Sequence, residues 1–339
     1  LAVLLSRSKT RPVNPRTLRG WTKLALKKLA RCNRRVGKRE PLGDLPLGIN
    51  LAYWFDSKTV TQLARLKTDL VESLDSIAPE GVLDIFRVSF SRTVREVSYQ
   101  RQNEYKLYRK PLDEIRKTED PRRVFCKNLL ENYCRLIHYY SCLPLSVKRG
   151  SISCRVIQGD NRYCDMQDRA HLVITSPPYG DGNTTVAYEQ FSKLSLRWLG
   201  VEPQGRAAKR DQARYDPRTL SRRLDDSLSA IDKKDHSRAR EVEVFFANLA
   251  TSLEKIFGCV GESGRVCIVA GPRYVKGLEL DTPQVIVEFA RAFGFRPVRR
   301  IARKIPSKTL PRRNRHGTTI NSETILIFST RALPFKVGV

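Results

Sequence analysis

The stretch that decides the fold is LVITSPPYG, residues 172–180. Its first half is an apolar run with β-branched residues, which predicts a buried strand in a sheet covered on both faces. Pro177 and Pro178 cannot donate backbone hydrogen bonds and have a fixed φ, so the strand must end there in a stiff loop. Because ligands of open parallel sheets bind at the carboxyl ends of the strands, this loop is the predicted functional site.

The loop offers two oxygen acceptors and an aromatic ring. An exocyclic amine of a nucleobase is a poor nucleophile, because its lone pair is delocalised into the ring. The Ser176 hydroxyl and the Pro177 carbonyl can hold the hydrogens of such an amine, and they favour its methylation if they bind the transition state more tightly than the ground state. Tyr179 can stack on a base that has been taken out of a duplex. The alternative is a proline turn without chemical meaning.

TSPPYG resembles the catalytic motif of the DNA amino-methyltransferases, which use S-adenosylmethionine and are built on a Rossmann-like sheet. In that family Ser-Pro-Pro-Tyr is associated mainly with cytosine-N4 enzymes and Asp-Pro-Pro-Tyr with adenine-N6 enzymes, with exceptions both ways. The resemblance implies an α/β class I methyltransferase fold, base flipping and a role in a restriction–modification or defence system. It also implies a catalytic set, which consists of Ser176, Pro177, Pro178 and Tyr179.

The same resemblance implies a cofactor site beside the loop. Residues 153–160, SCRVIQGD, are predicted to form a strand that ends in Asp160. In the family, a similar acidic residue after the third strand hydrogen-bonds the adenine amino group of S-adenosylmethionine. Asn161 and Thr175 are expected to contribute to the same site. Asp160 also fits an ordinary turn.

One expected element of the cofactor site is missing from the sequence. In this family a glycine-rich turn after the first strand binds the methionine part of the cofactor, and no such turn is found here. The resemblance covers residues 150–330 well and 1–110 loosely, and it lacks the first two strands of the sheet. We therefore expect an incomplete sheet that a second polypeptide, or a missing N-terminal segment with an FxGxG motif, completes. A truncated gene and a degenerate relative are the alternatives.

The chain of 339 residues carries a large excess of positive charge. It has 63 Lys and Arg against 35 Asp and Glu, a formal net charge of +28. This excess predicts a polyanionic partner, and nucleic acid is favoured over a membrane because no amphipathic or lipidation signal accompanies the charge. No apolar run reaches membrane-spanning length. Eight cysteines without a CxxC pair fit a reducing cytoplasm better than a disulfide framework.

Two basic segments in the first half are candidate contacts to double-stranded DNA. Residues 16–40 combine a dense set of cations with a helical apolar stripe, a density that favours phosphate contact. Residues 98–111 interleave tyrosines with Arg101, Lys106 and Arg109, and they resemble a segment of larger amino-methyltransferases. Such a segment suits base stacking combined with phosphate contact. A solvated helix face and a solvated loop are the respective alternatives.

A third basic segment, residues 306–321, lies between two predicted strands. It is a loop with two prolines that we expect to follow the DNA backbone near the target base. A basic loop without this role is the alternative. The candidate DNA-binding residues of the loop are Lys308, Arg312, Arg313 and Arg315.

The pattern of the sequence divides the chain into two regions. Residues 1–149 are predicted to be mainly helical and basic, whereas residues 150–339 form the catalytic half, in which strands and helices alternate. Within that half, residues 202–240 are a polar insertion whose mixed charges predict solvent-exposed helices. The segments 295–305 and 322–330 are predicted to close the sheet as an antiparallel pair, a feature of class I methyltransferases.

Further elements follow from apolar periodicity and turn signals. Ser57 is the predicted N-cap of a helix that runs to Ile77. Cys134, His138 and Cys142 lie on one face of another helix, and buried cysteines beside a satisfied histidine are favoured over a metal site. The remaining predictions are helices over 1–10, 83–97, 122–143, 188–199, 242–260 and 282–293, and a buried strand over 264–271.

The leading hypothesis is a DNA amino-methyltransferase that acts on cytosine N4. An adenine-N6 enzyme is the nearest alternative, because the motif does not separate the two securely. A non-catalytic DNA-binding subunit that keeps the fold without the cofactor is an alternative of another class. An RNA amino-methyltransferase is disfavoured by Ser176, since the RNA and protein enzymes of the family more often carry Asn-Pro-Pro-Tyr.

Overall fold

The computed structural model of the protein describes two compact units, each with its own core. One comprises Leu1–Gln158 and Ala187–Ala207, and the other comprises Gly159–Val186 and Ala208–Val339. The described residues are 1–32, 45–75, 77–102, 106–115, 118–163, 166, 168–180, 188–201, 214–305, 313–314, 317–318 and 320–330. Among the described helices, none combines the length and the apolar character needed to cross a bilayer.

The first unit is helical. Its central helix packs against the first, sixth and eighth helices and carries the fully buried Phe86 and Phe90. The predicted helices over 1–10, 83–97, 122–143 and 188–199 are confirmed. The helices are α1 Ala2–Thr10, α2 Pro15–Cys32, α3 Leu51–Trp54, α4 Ser57–Leu66, α5 Glu80–Glu96, α6 Pro121–Cys142, α7 Leu145–Lys148 and α8 Tyr188–Trp198, with a π-helix over Lys67–Glu72 and a 3-10 turn over Leu112–Glu114.

Two details of the first unit differ from the prediction. The N-cap of α4 is Asp56 and not Ser57, because the Asp56 carboxylate accepts from the backbone N–H of Thr59 at 2.8 Å. The cysteines of α6 that were predicted to be buried, Cys134 and Cys142, are exposed. Apolar spacing therefore predicted the helices, but it did not identify which polar side chain caps α4 or which face of α6 meets the core.

The second unit contains a mixed sheet packed against helices. The strand order is β1-β2-β8-β5, with β1 parallel to β2 and the other two pairs antiparallel. The predicted antiparallel pair at the end of the chain is thereby confirmed. The elements are β1 Ala170–Thr175, α9 Pro217–Leu220, α10 Arg222–Asp232, α11 His236–Gly258, β2 Val260–Ala270, β3 Arg273–Val275, β4 Leu278–Leu280, α12 Thr282–Ala292, β5 Arg296–Lys304, β6 Arg313–Asn314, β7 Gly317–Thr318 and β8 Ser322–Ser329.

One face of this sheet forms the core of the second unit. Alternate residues of β2 and β8, among them Val266, Ile268 and Phe328, are fully buried beneath α11 and α12. The period of two expected for a strand with one buried face is present in both strands. This core also includes α10, whose Leu224 and Leu228 are fully buried. The prediction of solvent-exposed helices over 202–240 is therefore wrong for α10, whose apolar stripe packs inward.

The prediction that β1 is covered on both faces is wrong for the described chain. Leu172 and Ile174 are 57% and 70% exposed. The register places Ile174 beside Cys267 and Cys267 beside Ile327, on the sheet face opposite α11 and α12. Within the described chain, β1 pairs only with β2, so it is an edge strand. A continuous apolar run predicted burial, but it could not show that one face and one edge are uncovered.

Residues 153–158 do not form the predicted strand. They have no regular secondary structure and no ladder partner in the described chain, and most of them are exposed. A strand needs a hydrogen-bonded neighbour to be stable, and this segment has none among the described residues. The segment therefore leads into the turn at Asp160 as irregular chain.

Candidate active site

The diproline loop leaves β1 at the point where the sequence predicted, next to the end of β2. Ser176 follows Thr175, which pairs with Ile268 of β2. The Ser176 hydroxyl donates to the backbone carbonyl of Val269 at 3.0 Å. Because this bond uses the only hydrogen of the hydroxyl, the oxygen keeps its lone pairs as acceptors. Ser176 is exposed, so these acceptors are available to a ligand.

The remaining members of the predicted catalytic set lie in the same loop. Pro177 is half-buried, whereas Pro178 is exposed. Tyr179 is half-buried, and its ring contacts the backbone at Gly271, where an added Cβ would lie 3.5 Å from Cε2 of the ring. Ser176 and Tyr179 are therefore the two ends of a short rigid segment, and both lie against β2 or the residue that follows it.

The Tyr179 hydroxyl lies beside two polar side chains. One is the Ser176 hydroxyl, and the other is the carboxylate of Glu323 at the start of β8. Burial raises the pKa of Tyr179, and the negative charge of Glu323 raises it further. Tyr179 is therefore a neutral hydrogen-bond donor at physiological pH.

Glu323 is a site residue that reasoning from the sequence missed. Its carboxylate also forms an ion pair with Arg303, which lies directly opposite in the β5–β8 register. The signal was present in the sequence, because both segments were predicted as an antiparallel pair. Using it required the register of that pair, and a shift by one residue would have placed Glu323 on the other face of the sheet.

Asp160 lies in a turn, which is the alternative that its sequence context left open. Its carboxylate accepts from the backbone N–H of Arg162 at 3.0 Å and from Nη2 of the same residue at 2.6 Å. These bonds to Arg162 hold the pKa of Asp160 below its usual value. Arg162 also donates to Asn248 of α11 at 2.7 Å, and the amide oxygen of Asn161 accepts from Ser252 of the same helix. The turn is thus attached to α11.

The predicted cofactor residues are not all brought together by the hydrogen bonds of the second unit. Asn161 is bonded to Ser252 of α11, and Asp160 is bonded to Arg162, which itself donates to Asn248 of α11. The diproline loop is bonded instead to β2, through Ser176. Thr175 belongs to β1 and is half-buried. Two groups of residues result, one at the turn and one at the loop, both within the second unit.

The candidate DNA-binding residues of the first unit have different surroundings. Arg101 and Lys106 are exposed. Arg109 is engaged inside the unit, because its Nε donates to the Tyr53 carbonyl at 2.7 Å and its guanidinium lies 4.6 Å from the centre of the Tyr53 ring. Lys308, Arg312 and Arg315 lie outside the described residues, and only the backbone of Arg313 is described, in β6.

The structure describes the basic face of α2, which lies within the segment 16–40 that the sequence predicted to contact phosphates. Leu18, Ala25 and Leu29 of α2 are buried, and α2 contains no acidic residue. Five of its cations are exposed and have no acidic partner among the described residues. Their spacing of three or four residues puts them on one side of the helix, over about 22 Å. This basic face consists of Arg16, Arg19, Lys23, Lys27 and Arg31.

Comparisons with known proteins support a methyltransferase. No protein-family model matches the chain, and no solved structure matches it. The chain is similar to the Type II methyltransferase M.MvaI of Kocuria varians, with 26% identity over an alignment of 364 positions. The alignment covers 96% of this chain and 77% of the relative. The similarity therefore extends over both compact units, and it supports methyl transfer as the activity of the chain.

Proposed function

We propose that this protein is a DNA amino-methyltransferase that moves a methyl group from S-adenosylmethionine to the exocyclic amine of a flipped base, with cytosine N4 as the target. The observation that carries the proposal is the loop Ser176–Tyr179 at the end of β1. The Ser176 hydroxyl donates its hydrogen to the Val269 carbonyl, so the lone pairs of its oxygen are available to accept from a substrate amine. The similarity to a Type II methyltransferase across both units supports the same activity.

The loop contributes hydrogen-bond acceptors to the reaction. The Ser176 oxygen and the Pro177 carbonyl accept from the two hydrogens of the amine, so that its lone pair is directed away from the ring system. Both acceptors are fixed in advance, Ser176 by its bond to Val269 and Pro177 by the restricted backbone of two successive prolines. Little reorganisation is then needed when positive charge develops on the nitrogen. The ring of Tyr179 stacks on the extruded base.

The turn at Asp160 fits S-adenosylmethionine only in part. The cofactor supplies an electrophilic methyl group when bound. The Asp160 side chain is 41% exposed, but Arg162 already donates to both of its oxygens, so an adenine amino group would have to share them. Asn161 is likewise bonded to Ser252. We propose that Asp160, Asn161 and Thr175 contact the cofactor when a further polypeptide segment supplies the glycine-rich turn.

We propose that such a segment binds at the edge of β1 that has no partner strand among the described residues. An unpaired strand edge offers a row of backbone donors and acceptors, and it favours the addition of another strand. The exposed Leu172 and Ile174 beside this edge offer an apolar surface for a covering helix. A segment that completes the sheet would satisfy both features at once.

This proposal predicts that Leu172→Lys with Ile174→Lys leaves the unfolding temperature of the chain almost unchanged, because both side chains are exposed. Methyl transfer by the complete active protein should fall by at least about tenfold, since two charges then lie in the surface to be covered. Thermal unfolding and a methyl-transfer assay measure the two effects. His171→Lys, an exposed change in the same strand, is the control. Full activity of the double variant would contradict the proposal.

The test of the proposed function is methyl transfer from radiolabelled S-adenosylmethionine. We expect the label in duplex DNA and not in RNA or protein. Label found in RNA instead would contradict the proposal and favour an RNA amino-methyltransferase. Absence of transfer, together with absence of cofactor binding in equilibrium dialysis and retained DNA binding, would favour the non-catalytic DNA-binding subunit. The ion pair that occupies Asp160 is the observation that keeps this second function open.

The basic face of α2 should bind DNA phosphates. Replacing Lys23, Lys27 and Arg31 by Gln removes three cations that have no acidic partner in the described chain. We expect weaker binding to duplex DNA, and a slope of log K against log salt that is smaller by about 2 to 3, because each phosphate contact contributes about 0.9. Fluorescence anisotropy over a range of salt concentrations measures both.

The matched control for the basic face removes the same charge elsewhere in the chain. Arg87, Arg135 and Arg240 are each paired with a carboxylate, and their replacement by Gln changes the net charge equally. The control should leave the salt slope near that of the unmodified protein. Equal loss of slope in both variants would show that overall charge, and not the basic face, binds DNA.

A further inference from the structure

The two ends of the diproline loop lie against different strands of the sheet. At one end, Ser176 donates to Val269 of β2 at 3.0 Å. At the other end, the Tyr179 ring lies at Gly271, which follows β2. Because Ala270 pairs with Thr324 of β8, Gly271 lies beside Glu323, and the Tyr179 hydroxyl is close to the Glu323 carboxylate.

The carboxylate beside Tyr179 is held in place by an ion pair. The Glu323 side chain is only 14% exposed, whereas that of its partner Arg303 is 61% exposed. The β5–β8 register places the two residues opposite each other. A carboxylate has two oxygens and about four acceptor positions, so it can bind the guanidinium and the tyrosine hydroxyl together. Arg303 therefore compensates the charge of Glu323 while leaving an acceptor for Tyr179.

The ring of Tyr179 has a defined seat between this carboxylate and the sheet. A Cβ added to Gly271 would lie 3.5 Å from Cε2 of the ring and 3.1 Å from Cδ1 of Ile320. The distance of 3.5 Å is that of an ordinary van der Waals contact, so the ring lies beside the backbone that follows β2.

We propose that the Glu323 carboxylate accepts a hydrogen bond from the Tyr179 hydroxyl and is thereby a positioning residue for the diproline loop: it sets the direction in which Ser176 and the Pro177 carbonyl face the target amine. The proposal rests on the proposed function of the loop. It assigns Glu323 no contact with substrate or cofactor. It explains why an almost buried acid stands at the start of β8, opposite a basic residue, beside the motif.

The first test measures this hydrogen bond without any activity. The pKa of Tyr179 is read from ¹³C NMR of ring-labelled tyrosine, with Tyr179→Phe used to assign its signal. Glu323 and Arg303 are the charged groups that act on Tyr179. Glu323→Gln removes a negative charge and should lower the pKa of Tyr179. An unchanged pKa would overturn the proposal.

A matched control pair exists elsewhere in the same unit. Tyr274 donates to Glu279 at 2.9 Å across the β3–β4 pair, so a tyrosine and a carboxylate are joined there too. Glu279→Gln should affect the signal of Tyr274 and leave that of Tyr179 in place. If Glu279→Gln shifts Tyr179 as much as Glu323→Gln does, the effect is not local and the proposal fails.

The second test is a double-mutant cycle on methyl transfer by the active protein. Glu323→Ala and Tyr179→Phe should each lower kcat by about 10- to 100-fold with little change in the KM for DNA, because misplacement of the acceptors affects the chemical step. The double variant should be no slower than the slower single variant, since both remove one hydrogen bond. Glu323→Gln should retain part of the rate, because its amide oxygen still accepts.

The two tests separate this proposal from the proposed function. Multiplicative losses in the double variant, with an active unmodified protein, would overturn the positioning role and leave the methyltransferase intact. Absence of methyl transfer by the unmodified protein would refute the function, and the NMR experiment would still decide whether Glu323 holds Tyr179. If Glu323→Ala does not fold, the cycle is run with Glu323→Gln and Tyr179→Phe, and multiplicative losses would again overturn the positioning role.

Discussion

Ser176→Ala should lower kcat for methyl transfer by about 10²- to 10³-fold, the usual effect of removing one fixed polar group that stabilises a transition state. The substitution deletes an exposed oxygen whose hydrogen is bonded to Val269 and whose lone pairs are available. The KM for DNA should change little, because the base contact is a small part of a large polyanionic interface. Steady-state kinetics with labelled S-adenosylmethionine give both quantities.

The control for Ser176 is a serine of the same unit without a role in the loop. Ser229 is exposed on α10, and Ser229→Ala should leave kcat within about twofold of the unmodified protein, as surface substitutions usually do. An unchanged rate in Ser176→Ala would show that the loop does not bind the amine. A raised KM at constant kcat would show that Ser176 serves only binding.

Leu228→Ala should destabilise the second unit by about 2 to 5 kcal/mol, the cost of deleting a fully buried leucine side chain. Leu228 belongs to α10, within the segment that the sequence presented as a solvated insertion. Its side chain lies in the same core cluster as Phe246 and Phe289. The free energy of unfolding is measured by urea denaturation, following the transition of this unit.

The neighbouring Asp226 provides the comparison for Leu228. Asp226 is exposed on the same helix, and Asp226→Ala should change the free energy of unfolding by no more than about 0.5 kcal/mol. Similar effects of the two substitutions would mean that α10 is not part of the core. The difference between them therefore tests the correction to the predicted insertion.

The parts of the fold that follow from local pattern were predictable. The strand before the diproline loop and β8 each contain a short apolar run, and α12 has an apolar period of three to four, with turn signals at their ends. The position of Ser176 at the end of β1 follows in the same way, because two prolines terminate a strand wherever the chain lies.

The features that depend on neighbours were not predictable. Leu172 and Ile174 look like buried residues in the sequence, and only the order of strands shows that β1 is at an edge. Residues 153–158 have strand composition but find no partner in the described chain. In both cases the missing information is which element lies alongside, and composition does not contain it.

The candidate site shows the same division. The catalytic motif is local, and four consecutive residues carry it. Glu323 and Arg303 join the site through the β5–β8 register, and the ion pair of Asp160 depends on the turn that brings Arg162 back. A carboxylate that follows a predicted strand can bind a cofactor or an arginine, and the sequence alone does not decide between them.

The most direct test of the central claim is the identity of the methylated nucleoside. Duplex DNA treated with the active protein and S-adenosylmethionine is digested to nucleosides and examined by mass spectrometry. We predict N4-methylcytosine, lost in Ser176→Ala. N6-methyladenine would agree with a loop that binds an exocyclic amine, but it would make adenine the target base. A methyl group on cytosine C5, or a product that Ser176→Ala does not affect, would contradict the claim that this loop binds an exocyclic amine.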